Sequence, residues 1–255
     1  MIAALHIDTF CREGKTCLGN AYVTPPLKLM NITEDKSSGK LHLMMMSSSP
    51  GILDGDDYTL KIKVVEHGFL QLHTQSYQRI FNMQQGAVQT MEVVLGTWAT
   101  FVYLPHPCVP HEQSVFKTYN KLYLQDNCTL LWGEILTCGR MLKEEVFRYH
   151  TYHSITDMYK NDRLIIKENL FMQPGTIDPL AMGQMEGFTH QAGMIILKNE
   201  LGEVPETIHE YLSSIEGIRF GISTTPANGI IIRILGYKAE QLHDTLKQIA
   251  NIILS

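Results

Sequence analysis

Charge is scarce in this chain, and no block of one sign occurs. Only 18% of its 255 residues are charged, and the 21 Lys and Arg are scattered along a sequence of formal net charge -5. A duplex or single strand of nucleic acid needs a concentrated basic footprint, so this distribution gives no site for a phosphate backbone. Long apolar runs are missing too, although 44% of residues are hydrophobic. No uninterrupted stretch approaches the ~20 residues that cross a bilayer as a helix. The start, MIAALHIDTFCREGK, has no basic residues ahead of its apolar ones, and Asp8, Arg12 and Glu13 interrupt it too early for a secretory signal. A cytoplasmic protein with no membrane partner is expected. The five cysteines, Cys11, Cys17, Cys108, Cys128 and Cys138, are odd in number and contain no C-x-x-C pair. They suggest reduced thiols rather than a disulfide framework or a zinc knuckle.

Catalytic signatures are equally short in supply. There is no G-x-S-x-G nucleophile elbow, no H-E-x-x-H and no glycine-rich loop ending in Lys-Ser/Thr, so neither a hydrolase nucleophile nor a nucleotide cradle is marked. The loop SSSPGILDGDD, residues 47 to 57, lacks both the lysine of a phosphate loop and the spaced ligand series of a calcium loop. It reads as a corner in which Pro50-Gly51 ends one strand, Gly55 turns the chain and Tyr58 starts the next.

What is present is strand pattern. From residue 2 to about 172, short runs of period-two alternation are broken by turn residues such as Arg12-Glu13-Gly14-Lys15, Glu66-His67-Gly68 and Asp126-Asn127, which predicts a mainly β fold built from antiparallel meanders. Ile2 to Phe10 and Lys15 to Val23 form an opening hairpin. Near the end the period changes. Pro205 precedes an Ile208, Leu212, Ile215 stripe, predicting a short helix that ends at Gly217. A hairpin follows, Ile218 to Thr224 and Ile230 to Leu235 about the Asn228-Gly229 turn. A second helix from Lys238 carries Leu242, Leu246, Ile249 and Ile253 on one face. We expect one domain over 1–255, mostly β to residue 200, with a helix, hairpin, helix portion over 204–255.

Three groups of residues invite chemistry. His106-Pro107-Cys108-Val109-Pro110-His111 collects possible metal ligands on what its prolines make a stiff extended loop, but no partner pair elsewhere completes a four-ligand site. His150 and His153 stand three apart in a strand and face opposite sides. Glu134 interrupts the apolar run Leu130-Leu131-Trp132-Gly133-Glu134-Ile135-Leu136, and a carboxylate on a buried strand must be paired, hydrogen-bonded or set against internal water. Arg140 is its nearest partner in sequence. A buried Glu134–Arg140 pair that fixes strand order, or a polar group lining a passage or an interface, are the two readings.

An ordered set of short pieces resembles the urease accessory protein UreD (UreH) family: Thr24-Pro25-Pro26-Leu27-Lys28-Leu29, Ser49-Pro50-Gly51 with Gly55-Asp56, Thr74-Gln75-Ser76 with Arg79-Ile80, Leu104-Pro105-His106-Pro107 with Val109-Pro110, and Glu134-Ile135 with Gly139-Arg140. The set spans roughly residues 20 to 145, and family members often carry a glycine where this chain has Asp54. The resemblance implies a largely β fold, strands stacked in a helical, solenoid-like arrangement with two α-helices. It also implies a non-enzymatic chaperone that joins UreF and the GTPase UreG, in a higher-order, dimeric accessory complex docked on the urease structural subunits, to deliver nickel. No tightly bound cofactor is implied, only nickel in transit, for which Asp56 and Glu134 are the candidates. The competing readings are a metal-dependent hydrolase on a β scaffold, using His106, His111 and the Gly/Asp loop, and a plain β-rich interaction module.

Overall fold

The computed structural model describes all residues, Met1–Ser255. Two mixed sheets face each other across one core. The first carries β1 (Ile2–Arg12), β2 (Lys15–Val23), β5 (Asp57–Val64), β8 (Ala87–Leu95), β11 (Val115–Leu124), β13 (Thr151–Lys160) and β14 (Arg163–Met172), in the order β14-β13-β11-β8-β5-β1-β2. The second is built from β3 (Leu27–Asn31), β4 (Leu41–Ser47), β6 (Phe69–Thr74), β9 (Thr100–Tyr103), β12 (Thr129–Thr137), β15 (His190–Leu197), β16 (Arg219–Thr225) and β17 (Gly229–Gly236). Its order is β16-β17-β15-β12-β9-β6-β4-β3, and the short β7 (Gln78–Ile80) and β10 (Cys108–Pro110) attach beside β12. Both α-helices, α1 (Val204–Ser213) and α2 (Ala239–Leu254), are C-terminal.

The hairpins stand where the turn residues put them. β1 pairs antiparallel with β2 across Glu13 and Gly14, both left-handed, and β16 pairs with β17 across Asn228, at φ 55°. Between these ends antiparallel pairing holds for β3 with β4, β13 with β14, β12 with β15 and β15 with β17, but the central strands of both sheets pair parallel, against the expected meander. β1-β5-β8-β11-β13 run parallel in the first sheet, and β4-β6-β9-β12 run parallel in the second. The physical reason lies in the connections: after β5, β8 and β11 the chain crosses to the other sheet, lays strand there and returns, and a returning strand runs in the same direction as its predecessor. Alternation fixes which side chains face inward but is silent on the direction of the neighbour.

Burial follows the alternation. Leu5 and Ile7 of β1, Leu60 and Ile62 of β5, Met91 and Val93 of β8 and Leu122 of β11 meet Leu43, Leu72, Phe101 and Leu130 of the second sheet in one apolar core. The second sheet is buried on both faces where the helices cover it. Leu131 and Ile135 of β12, Met194 and Ile196 of β15 and Ile232 of β17 pack against Ile208 and Leu212 of α1 and Leu242, Leu246 and Ile249 of α2. This is why β12 reads as a continuous apolar run rather than an alternating one. The first helix stops at Ser213, earlier than expected, and Gly217 at φ 77° sits in the turn that follows it.

The first sheet keeps its outer face uncovered by any helix. Across it, register places Lys61, Glu92, Lys121, Asp157 and Lys167 side by side on five neighbouring strands, a row of alternating sign. Cross-strand neighbours of opposite charge favour the observed register, and charged side chains discourage edge-to-edge association.

Candidate functional site

Glu134 projects from β12 into the space between the sheets. Trp132 and Leu136 flank it on the same inward phase, while Gly133 and Ile135 face the helices. A Cβ at Gly133 would stand 2.7 Å from the Leu104 side chain and 3.1 Å from that of Leu246, so glycine lets the helix layer close on β12. The carboxylate is held by donors from three strands. Trp132 Nε1–H and Asn120 Nδ2–H each donate to Oε1 at 3.2 Å, and the Ser154 hydroxyl donates to Oε2 at 2.9 Å. The Thr156 hydroxyl lies 3.4 Å from Oε1 and accepts from Asn120 Nδ2 at 2.9 Å. Burial pushes the carboxyl above its ordinary range, and these hydroxyl and indole donors pull it back. A cation arriving here would meet a negative group whose hydration has been replaced by fixed donors.

Three cavities adjoin one another around this residue. The outer one, about 110 Å³, is walled by Ser49, Pro50, Gly51, Tyr58 and Thr74 and reaches Gln78, Gln89, Tyr103 and His106. A middle one, about 40 Å³, shares those last four and continues to Cys108, Asn120, Trp132, Glu134 and Tyr152. The third, about 230 Å³, shares Trp132, Glu134 and Tyr152 and widens between β13, β14, β15 and β17 toward Glu168, Gln184 and Arg233. Glu168 and Arg233 are ion-paired at 2.5 Å in that wall. Cys108 in the middle cavity remains a thiol, because burial, then the charge of Glu134, pushes its ionisation far up. It offers no thiolate that would trap a soft metal.

A model of the UreD urease accessory protein family matches residues 1–255. The chain belongs to the UreD family. Its curated relatives include the urease accessory protein UreD of Flavobacterium johnsoniae, 46% identical over 252 residues that cover 98% of this chain and 91% of the relative. That of Acetivibrio thermocellus is 34% identical, covering 98% and 96% of the two chains, and that of Haemophilus influenzae strain 86-028NP 31% identical, covering 95% of each.

The residues that carry the UreD resemblance gather at two places. Ser49, Pro50, Gly51, Thr74, Gln75 and His106 wall the outer cavity. Arg79 and Pro107 frame the β7–β10 pairing, where Ile52 N–H donates to the Arg79 carbonyl at 2.8 Å and Gln78 N–H to the Pro107 carbonyl at 3.0 Å. The 106–111 segment is therefore not a free loop: proline cannot donate, but its carbonyl accepts, and Cys108–Pro110 pairs parallel with β7. Gly139 and Arg140 form the second place. Arg140 is not the partner of Glu134; its guanidinium pairs with Glu145 at the surface, its Nε–H donating at 2.8 Å. The nearest cation in sequence lies past the end of β12, outside the space between the sheets.

Within the SSSPGILDGDD corner two of the three aspartates, Asp54 and Asp56, have structural partners. Asp54 accepts the backbone N–H groups of Gln84 at 3.1 Å and of Gln85 and Gly86 at 2.9 Å, and these bonds hold its carboxyl below the ordinary range. Asp56, 4% exposed, accepts from the Met1 ammonium at 2.7 Å and from Leu53 N–H at 2.8 Å. Its charge reaches Tyr58 in the outer cavity wall, whose phenol is pushed up to about 12 by burial first and Asp56 second. Replacing Asp54 with Ala is expected to free three amides of the 84–86 turn. Hydrogen exchange at Gln84, Gln85 and Gly86 should then quicken by tenfold or more while β8 stays protected, and unchanged exchange would show that the carboxylate does not hold the turn.

The residues named for a β-scaffold hydrolase do not come together. His111 packs on the Phe81 ring at 4.6 Å, whereas His106 bonds the Thr74 hydroxyl at 2.9 Å and stacks near His243, and no three His, Cys, Asp or Glu side chains converge as a ready ligand set. His150 and His153 are apart, on Thr151 and Asn169. The partners of Glu134 were hidden in sequence, yet they carried a signal. Thr118 and Asn120 of β11, and Ser154 and Thr156 of β13, are polar residues at the inward phase of alternating strands.

Proposed function

We propose that this chain is a non-catalytic accessory factor of urease maturation that passes nickel through the chain of cavities between its sheets. The observation that carries the reading is Glu134, a carboxylate deep in the interior that lines both the middle and the third cavity. Nickel in transit must be held loosely, and one carboxylate with water and hydroxyl oxygens around it suits transfer better than a closed set of nitrogen and sulfur ligands. Asp56 is the second candidate, acting through its charge at the outer cavity. The GTPase step belongs to a separate subunit, UreG, and UreF and the urease structural subunits complete a higher-order, dimeric assembly in the cytoplasm. No helix is long and apolar enough to cross a membrane.

The test is urease co-expressed with all its accessory proteins and either the wild-type chain, Glu134→Gln or Asp56→Asn. Glu134→Gln keeps the shape and removes the charge, so the nickel content and activity of purified urease should fall by at least fivefold while the accessory complex still assembles. Wild-type nickel loading with Glu134→Gln and with Ser154→Leu, which narrows the third cavity beside Glu134, would mean that metal does not travel between the sheets. A plain interaction module, the remaining alternative, requires that outcome.

A further inference from the structure

Four of the 11 histidines of the chain form two close pairs, His42 with His73 and His106 with His243. His42 of β4 and His73 of β6 project from the second sheet on the face away from the common core, since their neighbours Leu41, Leu43, Leu70 and Leu72 point inward. Parallel pairing of β4 with β6 brings the two imidazoles together, His42 Nδ1 to His73 Nε2 at 3.3 Å. Beyond them His106 follows β9, and His243 of α2 lies over it with ring centroids 4.5 Å apart. His243 is 5% exposed, and its Nε2 has no hydrogen-bond partner. None of these groups is used by the site around Glu134 except His106, which walls the outer and middle cavities.

We propose that His42 and His73 form a two-imidazole site for a borderline divalent transition-metal cation, the class of nickel and zinc, from which His106 leads toward the outer cavity. Imidazole nitrogens bind such cations at about 2.0–2.1 Å, so two of them on one tetrahedral ion stand about 3.4 Å apart, and two at a right angle about 3.0 Å. The observed separation falls between. Each neutral imidazole has one lone pair and one N–H. Shifting the tautomer so that His42 carries its proton on Nε2 and His73 on Nδ1 turns both lone pairs to the gap, without net loss of a proton. With only two protein ligands, water fills the remaining positions and the ion exchanges readily. Lys40 near His42 and Lys247 near His73 oppose a cation, while Glu34 near His42 favours one, which also keeps the site weak. The role of this site as an entry to the passage rests on the function proposed above; the binding of metal does not.

The experiment is equilibrium dialysis of the purified full chain, stripped with chelator, against nickel sulfate and separately zinc chloride at pH 7.5. The wild type should bind one cation per chain, and His42→Gln and His73→Gln should each weaken it by tenfold or more with unchanged thermal midpoints. The surface control His209→Gln should leave binding intact. Paramagnetic nickel should broaden the ring resonances of His42 and His73 ahead of those of other histidines. Wild-type affinity in the His42→Gln/His73→Gln double variant overturns the site. If the double variant loses binding while urease still loads nickel fully, the site stands and its role as an entry is overturned.

Discussion

Gly51→Ala is expected to destabilise the fold by about 3 kcal/mol or more, an overpacking cost at the top of the usual range because the clash is with backbone. A Cβ built on Gly51 would stand 2.3 Å from the Arg79 carbonyl oxygen, 2.9 Å from the Phe81 ring and 3.0 Å from Arg79 Cβ. The Arg79 carbonyl cannot retreat without cost, since it accepts the Ile52 N–H at 2.8 Å, and Phe81 N–H donates to the Ile52 carbonyl at 3.0 Å. Relief therefore means parting the 49–52 corner from β7, which also deforms the wall of the outer cavity. Gly55 is the control. It holds a φ of 75° but has nothing within 4 Å of where a Cβ would be, so Gly55→Ala carries only backbone strain, about 1–2 kcal/mol. Urea midpoints of the two variants separate these costs. Equal losses, or a Gly51→Ala protein as stable as wild type, would remove the clash as the reason for glycine in the SPG corner.

Acidification from pH 6.5 to 4 is the second large effect, expected to cost on the order of 5 kcal/mol from two histidines. Burial pushes His190 and His243 down to about 4 in the folded chain, against an unfolded value near 6.5. Between those values the unfolded chain binds protons that the folded chain refuses. The stabilisation is therefore complete above pH 6.5 and is lost as pH falls toward 4, at most about 3 kcal/mol for each group. Glu134 acts in the opposite sense, because its raised carboxyl takes up a proton more readily in the fold, and offsets part of the loss. Set against total stabilities of about 5–15 kcal/mol, the remainder is a large fraction of what holds the fold. Urea midpoints taken at intervals from pH 7.5 to pH 4 should fall steeply in the wild type and less steeply in His190→Gln/His243→Gln. Parallel curves for the two proteins would sink the assignment.

Local features were the legible ones. The Asn228-Gly229 hairpin, the opening hairpin and the apolar stripes of both helices depend on neighbours within a few residues, and turn chemistry and period report those directly. Glu134 was legible as an interruption of an apolar run. Its partners were not, since Asn120, Ser154 and Thr156 reach it across the gap between the sheets, and sequence proximity pointed instead to Arg140. Parallel pairing escaped for the same reason: two strands that neighbour each other in one sheet are separated by a strand of the other. The His42–His73 pair is a product of that pairing, and nothing in either run announces it. The aspartates of the corner were visible as residues, but not the three amides and the Met1 ammonium that occupy them.

That crossing path bears on how the chain comes to be folded. Asp57 pairs beside Val88 and Ala87 beside Phe116, so partners in the first sheet emerge from synthesis roughly thirty residues apart, a topology of high contact order and slow folding. Each new strand must wait for a full circuit before its neighbour exists, and in the meantime offers an open edge. Growth by successive circuits also gives the process a direction, from the opening hairpin toward the C-terminal helices. α2 is the element that seals the second face of β12, and until it docks Leu131 and Ile135 leave an apolar surface open to other chains.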